Sequence, residues 1–201
     1  MSSTATARHN VLPAPDGFSV VQDFLNTDGG GQPDLLADVA GAEQWFAGVL
    51  AERVTATGVE VPAVSFTGRD LRKLAELRAR LRQALHHRDP ADGSAPGWLV
   101  APGVSAGLQQ TGDGTVVAIP QGSGWRAVAS LLMIESLAAQ TSKLWPRLKV
   151  CRNEECGTAF YDRSRNNSGV WHDVLVCGNA INLRTSRARR RAATTSGPSA
   201  G

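Results

Sequence analysis

Aromatic residues and long apolar segments are both scarce in this sequence. Aromatic side chains make up 5% of the 201 residues, too few for the extended platform on which proteins stack single-stranded bases. The longest strongly apolar stretch, Ala127 to Ile134, is far too short to cross a bilayer. The first fifteen residues, MSSTATARHNVLPAP, contain no apolar segment of the kind that a secretory signal needs. We therefore expect a cytoplasmic protein with no membrane partner.

Cysteine is also rare, and its distribution is informative. The three cysteines all fall between positions 151 and 177. An odd and clustered set is a poor framework for disulfides. In a cytoplasmic protein such a cluster is more typical of metal binding.

Charge is distributed unevenly along the chain. Residues 147–191 hold ten Lys and Arg residues and four Asp and Glu residues, a net charge of +6, while the rest of the chain carries −3, which gives +3 overall. Hydrophobic residues make up 42% of the sequence, enough for a core. A mildly acidic body with a basic C-terminal end indicates a separate electrostatic role for that end.

Hydrophobic periodicity predicts a mainly α fold with one small β-hairpin. Apolar residues at helical spacing predict helices over 18–27, 34–53, 68–87 and 124–143. An Asp-Gly between two strand-like runs predicts a hairpin over 104–119. The expected organisation is a disordered N-terminus (1–15), a helical domain (16–146), a basic segment that holds all the cysteines (147–191) and a disordered tail (192–201).

Four residues near the C-terminus have the composition and spacing of a metal site. Cys151 and Cys156 are followed, after fifteen residues, by His172 and Cys177. Three thiolates and one imidazole form a complete tetrahedral set, which indicates one structural Zn2+ ion rather than a catalytic one. A five-residue step along a helix turns by about 500° and leaves the two side chains roughly 140° apart. Each ligand pair therefore needs a turn or a helix end.

Glycines follow two of these ligands directly. Gly157 and Gly178 are expected to take the positive φ of tight turns and to let backbone N–H groups approach the thiolates. Two other interpretations of the cysteines stay open here. Buried free cysteines beside a surface histidine would produce the same sequence pattern. The same thiols would also serve a redox switch. The symmetric spacing and the flanking glycines favour zinc.

The segment VCRNEECGTAFYDRSRNNSGVWHDVLVCGNA resembles the CGNR zinc-finger family of bacterial proteins. The shared features are the Cys-x4-Cys knuckle, the pair Phe160-Tyr161, the segment Asp162-Arg163-Ser164 with Arg165-Asn166 after it, Trp171, and Cys177-Gly178-Asn179. Upstream, the segment Asp23-Phe24-Leu25-Asn26-Thr27 is similar to the D-F-x-N-T signature of the helical domain that precedes the finger in that family. The resemblance implies a stress-induced transcription regulator or an RNA-binding protein.

The sequence departs from the family pattern at two positions. His172 stands where the family usually has a cysteine, and histidine is an acceptable zinc ligand. Ala180 stands where the family has the arginine that completes its name. Any contact that this arginine makes in relatives is absent from this chain.

A basic helix is predicted after the finger, over residues 180–191, with Asn179 as its N-cap. Arginine suits phosphates and guanine edges because its donors form a bidentate fork. The residues that we predict to contact nucleic acid lie in this helix and in the loop of the finger: Arg163, Arg165, Arg184, Arg187, Arg189, Arg190 and Arg191. The alternative is a solvated C-terminal helix without a partner.

The sequence therefore predicts a helical N-terminal domain plus a C-terminal treble-clef-like zinc finger. The leading function is DNA-binding transcriptional regulation; RNA binding by the same surface and a protein–protein adaptor of the transcription machinery are the alternatives. An enzyme is the least favoured class, because no catalytic grouping emerges. A homodimer stays open, as does a small-molecule effector held in the helical domain, although Trp45, Trp98 and Trp125 fit core packing better than pocket walls.

Overall fold

The computed structural model describes residues 5–57, 63–86 and 103–195. Five α-helices lie within these ranges: Phe18–Leu25 (α1), Val39–Thr57 (α2), Gly68–His86 (α3), Trp125–Thr141 (α4) and Asn179–Thr195 (α5). Two antiparallel strand pairs accompany them, Ala106–Gln110 (β1) with Val116–Pro120 (β2), and Leu148–Val150 (β3) with Ala159–Tyr161 (β4). The predicted mainly α class with a β-hairpin is confirmed. Position 87 and Trp98 lie outside the described residues.

Helix α2 begins later than its apolar pattern predicts. Its N-cap is Asp38, whose carboxylate accepts the N–H of Gly41 at 2.8 Å. Residues 34–37 instead form a turn, in which the Asp34 carboxylate accepts two hydrogen bonds from the guanidinium of Arg78, at 2.7 and 2.8 Å. Among the described residues, no helix combines the length and the apolar composition that crossing a membrane requires.

The N-terminal segment was expected to be disordered, whereas from residue 5 onward it packs on the helices. Residues 6–9 form a 3₁₀ turn, and Ala5 and Ala14 are buried in the core. The N–H of Thr6 donates to the Asp23 carboxylate at 2.8 Å. The sequence pattern missed this order because the partners of the segment lie far along the chain. At the other end, helix α5 continues to Thr195, beyond the predicted end at residue 191.

One hydrophobic core joins the helices to the strands of the C-terminal segment. Its members include Phe24, Phe46, Leu74 and Leu131 from the helices, together with Leu148, Val150 and Ala159 from β3 and β4. Strand β3 contacts α3, and strand β4 contacts α1. The finger therefore buries part of its own apolar surface against the helical part of the chain.

Candidate metal centre

The four predicted ligands come together in space. One ligand atom from each of Cys151, Cys156, His172 and Cys177 lies within 4.8 Å of the others. Nδ1 of His172 is 3.3 Å from Sγ of Cys156 and 3.6 Å from Sγ of Cys177. Tetrahedral zinc, with Zn–S near 2.3 Å and Zn–N near 2.0 Å, places nitrogen and sulfur ligands about 3.5 Å apart. The site fits one structural zinc ion, with Nδ1 as the coordinating nitrogen.

The first ligand pair sits on a tight turn between β3 and β4. Cys151 follows the last residue of β3, and its N–H donates to the carbonyl of Thr158 at 2.9 Å. The N–H of Cys156 donates to the carbonyl of Asn153 at 2.8 Å. Gly157 then takes φ of +63°, as its position after the ligand predicts. The turn folds Cys156 back beside Cys151.

The second ligand pair lies where a helix begins, as its spacing predicts, but two predicted details are wrong. Cys177 lies in a π-helical turn, residues 174–178, whose N-cap is Asp173. The prediction of a positive φ at Gly178 is wrong, because this turn continues directly into α5. Asn179 is helical, with φ of −65°, and so the prediction that it caps α5 is also wrong. Because Cys177 lies in the turn that leads into α5, zinc ligation fixes where this helix starts.

Neighbouring groups prepare Cys156 for metal binding. The thiol of Cys151, His172 and the hydroxyl of Thr158 hydrogen-bond to it, and despite burial they lower the pKa of its thiol. Oγ1 of Thr158 lies 3.1 Å from Sγ of Cys156. The side-chain amide of Asn153 donates to Sγ of Cys177 at 3.6 Å. Such outer contacts hold thiolate ligands in place and disperse their charge.

The loop after β4 is held by an ion pair between the half-buried Lys149 and the buried Asp162. Nζ of Lys149 donates to the Asp162 carboxylate at 2.7 Å and to the carbonyls of Asn167 and Gly169, at 2.6 and 2.9 Å. Burial raises the pKa of Asp162, but hydrogen bonds from Lys149, from Ser164 and from the N–H of Gly169 hold it well below its usual range. Asp162 of the Asp-Arg-Ser segment therefore organises the loop that carries Arg163 and Arg165.

All seven arginines that the sequence assigns to nucleic acid are exposed. Arg184 and Arg163 illustrate that such residues also contact the protein itself. Arg184 forms an ion pair with Glu155 and lies within 3.4 Å of the Asn153 side-chain oxygen. Arg163 donates to the carbonyl of Pro13 at 2.7 Å, and its guanidinium lies 5.5 Å from the centroid of the Tyr161 ring. These two side chains brace the finger as well as adding positive charge.

The sequence alone assigned no role to the residues that attach the finger to α1. The side-chain amide of Asn26 donates to the Ala159 carbonyl at 2.9 Å, and its oxygen accepts the Ala159 N–H at 2.8 Å. The N–H of Gly30 donates to the carbonyl of Cys156 at 2.6 Å. Gly29 has φ of +97°, and a Cβ there would lie 3.0 Å from the same carbonyl. The signal was present in residues 23–27, which resemble the family signature, but its meaning needed the fold.

Comparisons with known proteins agree with this architecture. Residues 147–190 match the family model of the CGNR zinc finger. Residues 19–144 match the ABATE family, which is described as "Putative stress-induced transcription regulator". No curated protein matches the chain.

Proposed function

This chain belongs to the ABATE family and carries a CGNR zinc finger, and we propose that it is a DNA-binding transcriptional regulator. The observation that carries the proposal is the exposed arginine face of α5, which starts at the zinc site. Arg187 and Arg191 are exposed and lie four residues apart on this face. Their guanidinium groups suit phosphate oxygens and guanine edges.

The zinc site supports this role because it gives α5 a defined starting direction. The helix contacts the turn that holds Cys177, and Arg184 pairs with Glu155 beside the first ligand pair. Binding groups on rigid elements lose less entropy when they meet a partner. The finger thus fixes the position of α5, and α5 is the element that contacts nucleic acid.

The charge distribution supports the same proposal. Residues 147–191 carry a net charge of +6, whereas the rest of the chain carries −3. The acidic body disfavours broad contact with a polyanion, which confines binding to the finger and α5. Duplex binding through this region depends steeply on salt, because each neutralised phosphate releases counterions.

A salt titration tests the proposal. Fluorescence anisotropy of a labelled random-sequence duplex, measured at several salt concentrations with the zinc-loaded protein, should give log affinity that falls linearly with log salt. Duplex RNA of the same length serves as competitor. Tighter binding of the RNA would assign the same surface to RNA, and absence of binding to both would contradict the proposal.

One observation favours a second candidate, a protein–protein adaptor. Val174, Leu175 and Val176 in the π-helical turn are 66%, 78% and 63% exposed, and Leu183 on α5 is 52% exposed. Contiguous exposed apolar residues are typical of protein-binding surfaces. An adaptor that binds through them would show little salt dependence, whereas α5 bound to a duplex would show a steep one.

A further inference from the structure

A cavity of about 500 Å³ lies between the N-terminal segment and helices α1 and α2. Its walls are largely apolar and include Val20, Leu35, Trp45 and Val49. This volume is in the range of sites that bind small molecules. Trp45 is therefore both a core residue and a wall of the cavity.

We propose that this cavity binds a small organic acid with an apolar body. Arg8 lines the cavity. Nη2 of Arg8 donates to the carbonyl of Pro33, but its buried Nη1 has no hydrogen-bond partner in the part of the chain that the structure describes. A buried donor without an acceptor is unfavourable. A carboxylate is the group that best matches an arginine, through charge-assisted hydrogen bonds.

The acidic residues around the cavity leave the preference for an anion in place. Both oxygens of Asp23 are engaged at 2.8 Å, one by the N–H of Thr6 and the other by Nε1 of Trp45. Asp23 is only 6% exposed, so its remaining capacity for a cationic ligand is small. Glu52, the other acid in the wall, is exposed to solvent, where water screens its charge.

A glycine in α2 keeps the cavity open. Gly48 lies in the interior of this helix, where glycine destabilises by about 1 kcal/mol relative to alanine. Apart from its chain neighbours and the backbone of its own helix, a Cβ at this position would meet no atom of the described residues within 4 Å, so packing against other elements does not require glycine there. Gly48 lines the cavity, and a larger side chain would occupy the space that a ligand needs.

Residues next to the walls of the cavity contact the zinc finger. Arg8 precedes His9, whose ring lies 3.1 Å from the carbonyl of Asn26 and 3.3 Å from the hydroxyl of Thr158. Asp23 lies on helix α1, and Asn26 is the residue that caps the C-terminus of this helix. For a regulator of the kind proposed above, this places the cavity where a bound effector contacts the elements that hold the finger.

Three probes with the same ring and different charge test the inference: phenylacetate, phenylacetamide and phenethylamine. Their binding to the full-length, zinc-loaded protein is measured by ligand-observed NMR and calorimetry. Two variants address the site, Arg8→Gln and Gly48→Leu. Gly68→Leu is the matched control, because a Cβ at Gly68 also meets open space but Gly68 is not a wall of the cavity.

Phenylacetate should bind at least about tenfold more tightly than the amide or the amine, because only the acid pairs a negative charge with the Arg8 guanidinium. Arg8→Gln should remove this preference, Gly48→Leu should abolish binding, and Gly68→Leu should bind normally. No binding of phenylacetate at millimolar concentration, equal binding of the amine, or normal binding by Gly48→Leu would overturn the inference. No nucleic acid is present in these measurements, so their failure is separate from failure of the proposed function.

Discussion

The side-chain amide of Asn26 pairs with the backbone of Ala159 as a neighbouring strand would. Its nitrogen donates to the Ala159 carbonyl at 2.9 Å, and its oxygen accepts the Ala159 N–H at 2.8 Å. Asn26 is fully buried at the end of α1, and Ala159 begins β4 of the finger. One side chain thus satisfies two buried backbone groups of the zinc-binding segment and holds that segment to the helices.

The first prediction concerns this contact. Asn26→Ala should lower the free energy of unfolding by about 2–4 kcal/mol. The substitution leaves the buried N–H of Ala159 without a partner, and it leaves the Ala159 carbonyl with only the longer hydrogen bond, at 3.3 Å, from the side-chain amide of Gln22. Urea denaturation of the zinc-loaded protein measures the change. Asn166→Ala is the control, since Asn166 is exposed in the finger loop, and it should have little effect. A loss no larger for Asn26→Ala than for this control would show that the contact does not hold the finger.

The second prediction concerns the metal itself. The purified protein should contain one zinc per chain, and His172→Ala should weaken zinc binding because three ligands remain. His172→Cys should retain zinc, since a thiolate also suits the tetrahedral site. Elemental analysis and competition with a chromophoric chelator provide the measurements. Full retention of zinc by His172→Ala would remove the histidine from the ligand set.

The third prediction concerns what zinc removal does to the rest of the fold. Leu148 and Val150 belong to the main core, and Gly30 donates to the carbonyl of Cys156. Chelation should therefore expose amides in residues 149–180 and also in the segment after α1, near residues 26–31. Helices α2 and α4 should keep their protection, because their core contacts do not include the ligands.

Hydrogen exchange followed by mass spectrometry separates the outcomes of this third experiment. Loss of protection only within 149–180 would mean that the finger folds and unfolds alone. Loss throughout the described chain would mean that zinc is required for the entire core. The contacts of Asn26 and Gly30 predict the intermediate result.

The fourth prediction concerns the ion pair beneath the finger loop. Lys149→Met should destabilise the folded protein by about 2–4 kcal/mol, because it leaves the Asp162 carboxylate buried without its cation. Asp162 is 4% exposed, so water compensates little. Lys143→Met, at an exposed position outside the loop, is the control in thermal unfolding at neutral pH. Equal melting temperatures for the two variants would contradict a structural role of the pair.

The sequence predicted the elements whose signals are local. The five-residue spacing and the following glycine located the turn at Cys156, and the apolar period located α3 over Gly68–His86 almost to the residue. The zinc ligand set was predictable for the same reason, because few residue types bind zinc and their spacing is short.

The remainder depended on contacts between distant parts of the chain. Thr6 is ordered by Asp23, and Asn26 finds its partner in Ala159, a separation that no local pattern reports. The cap at Asn179 failed because a π-helical turn precedes α5 without a break. Arg184 resembled its neighbours in sequence, and its pairing with Glu155 became visible only in the fold.

The most direct measurement of the central claim compares salt dependence between two double variants of equal charge. Arg187→Ala with Arg191→Ala removes two positive charges from the exposed face of α5, and Arg72→Ala with Arg80→Ala removes two from the exposed side of α3. Each phosphate contact contributes about 0.9 to the slope of log affinity against log salt. The α5 variant should therefore bind duplex DNA more weakly, with a slope smaller by about 2, while the α3 variant keeps the wild-type slope. Equal slopes and affinities for wild type and the α5 variant would contradict the claim that α5 contacts nucleic acid.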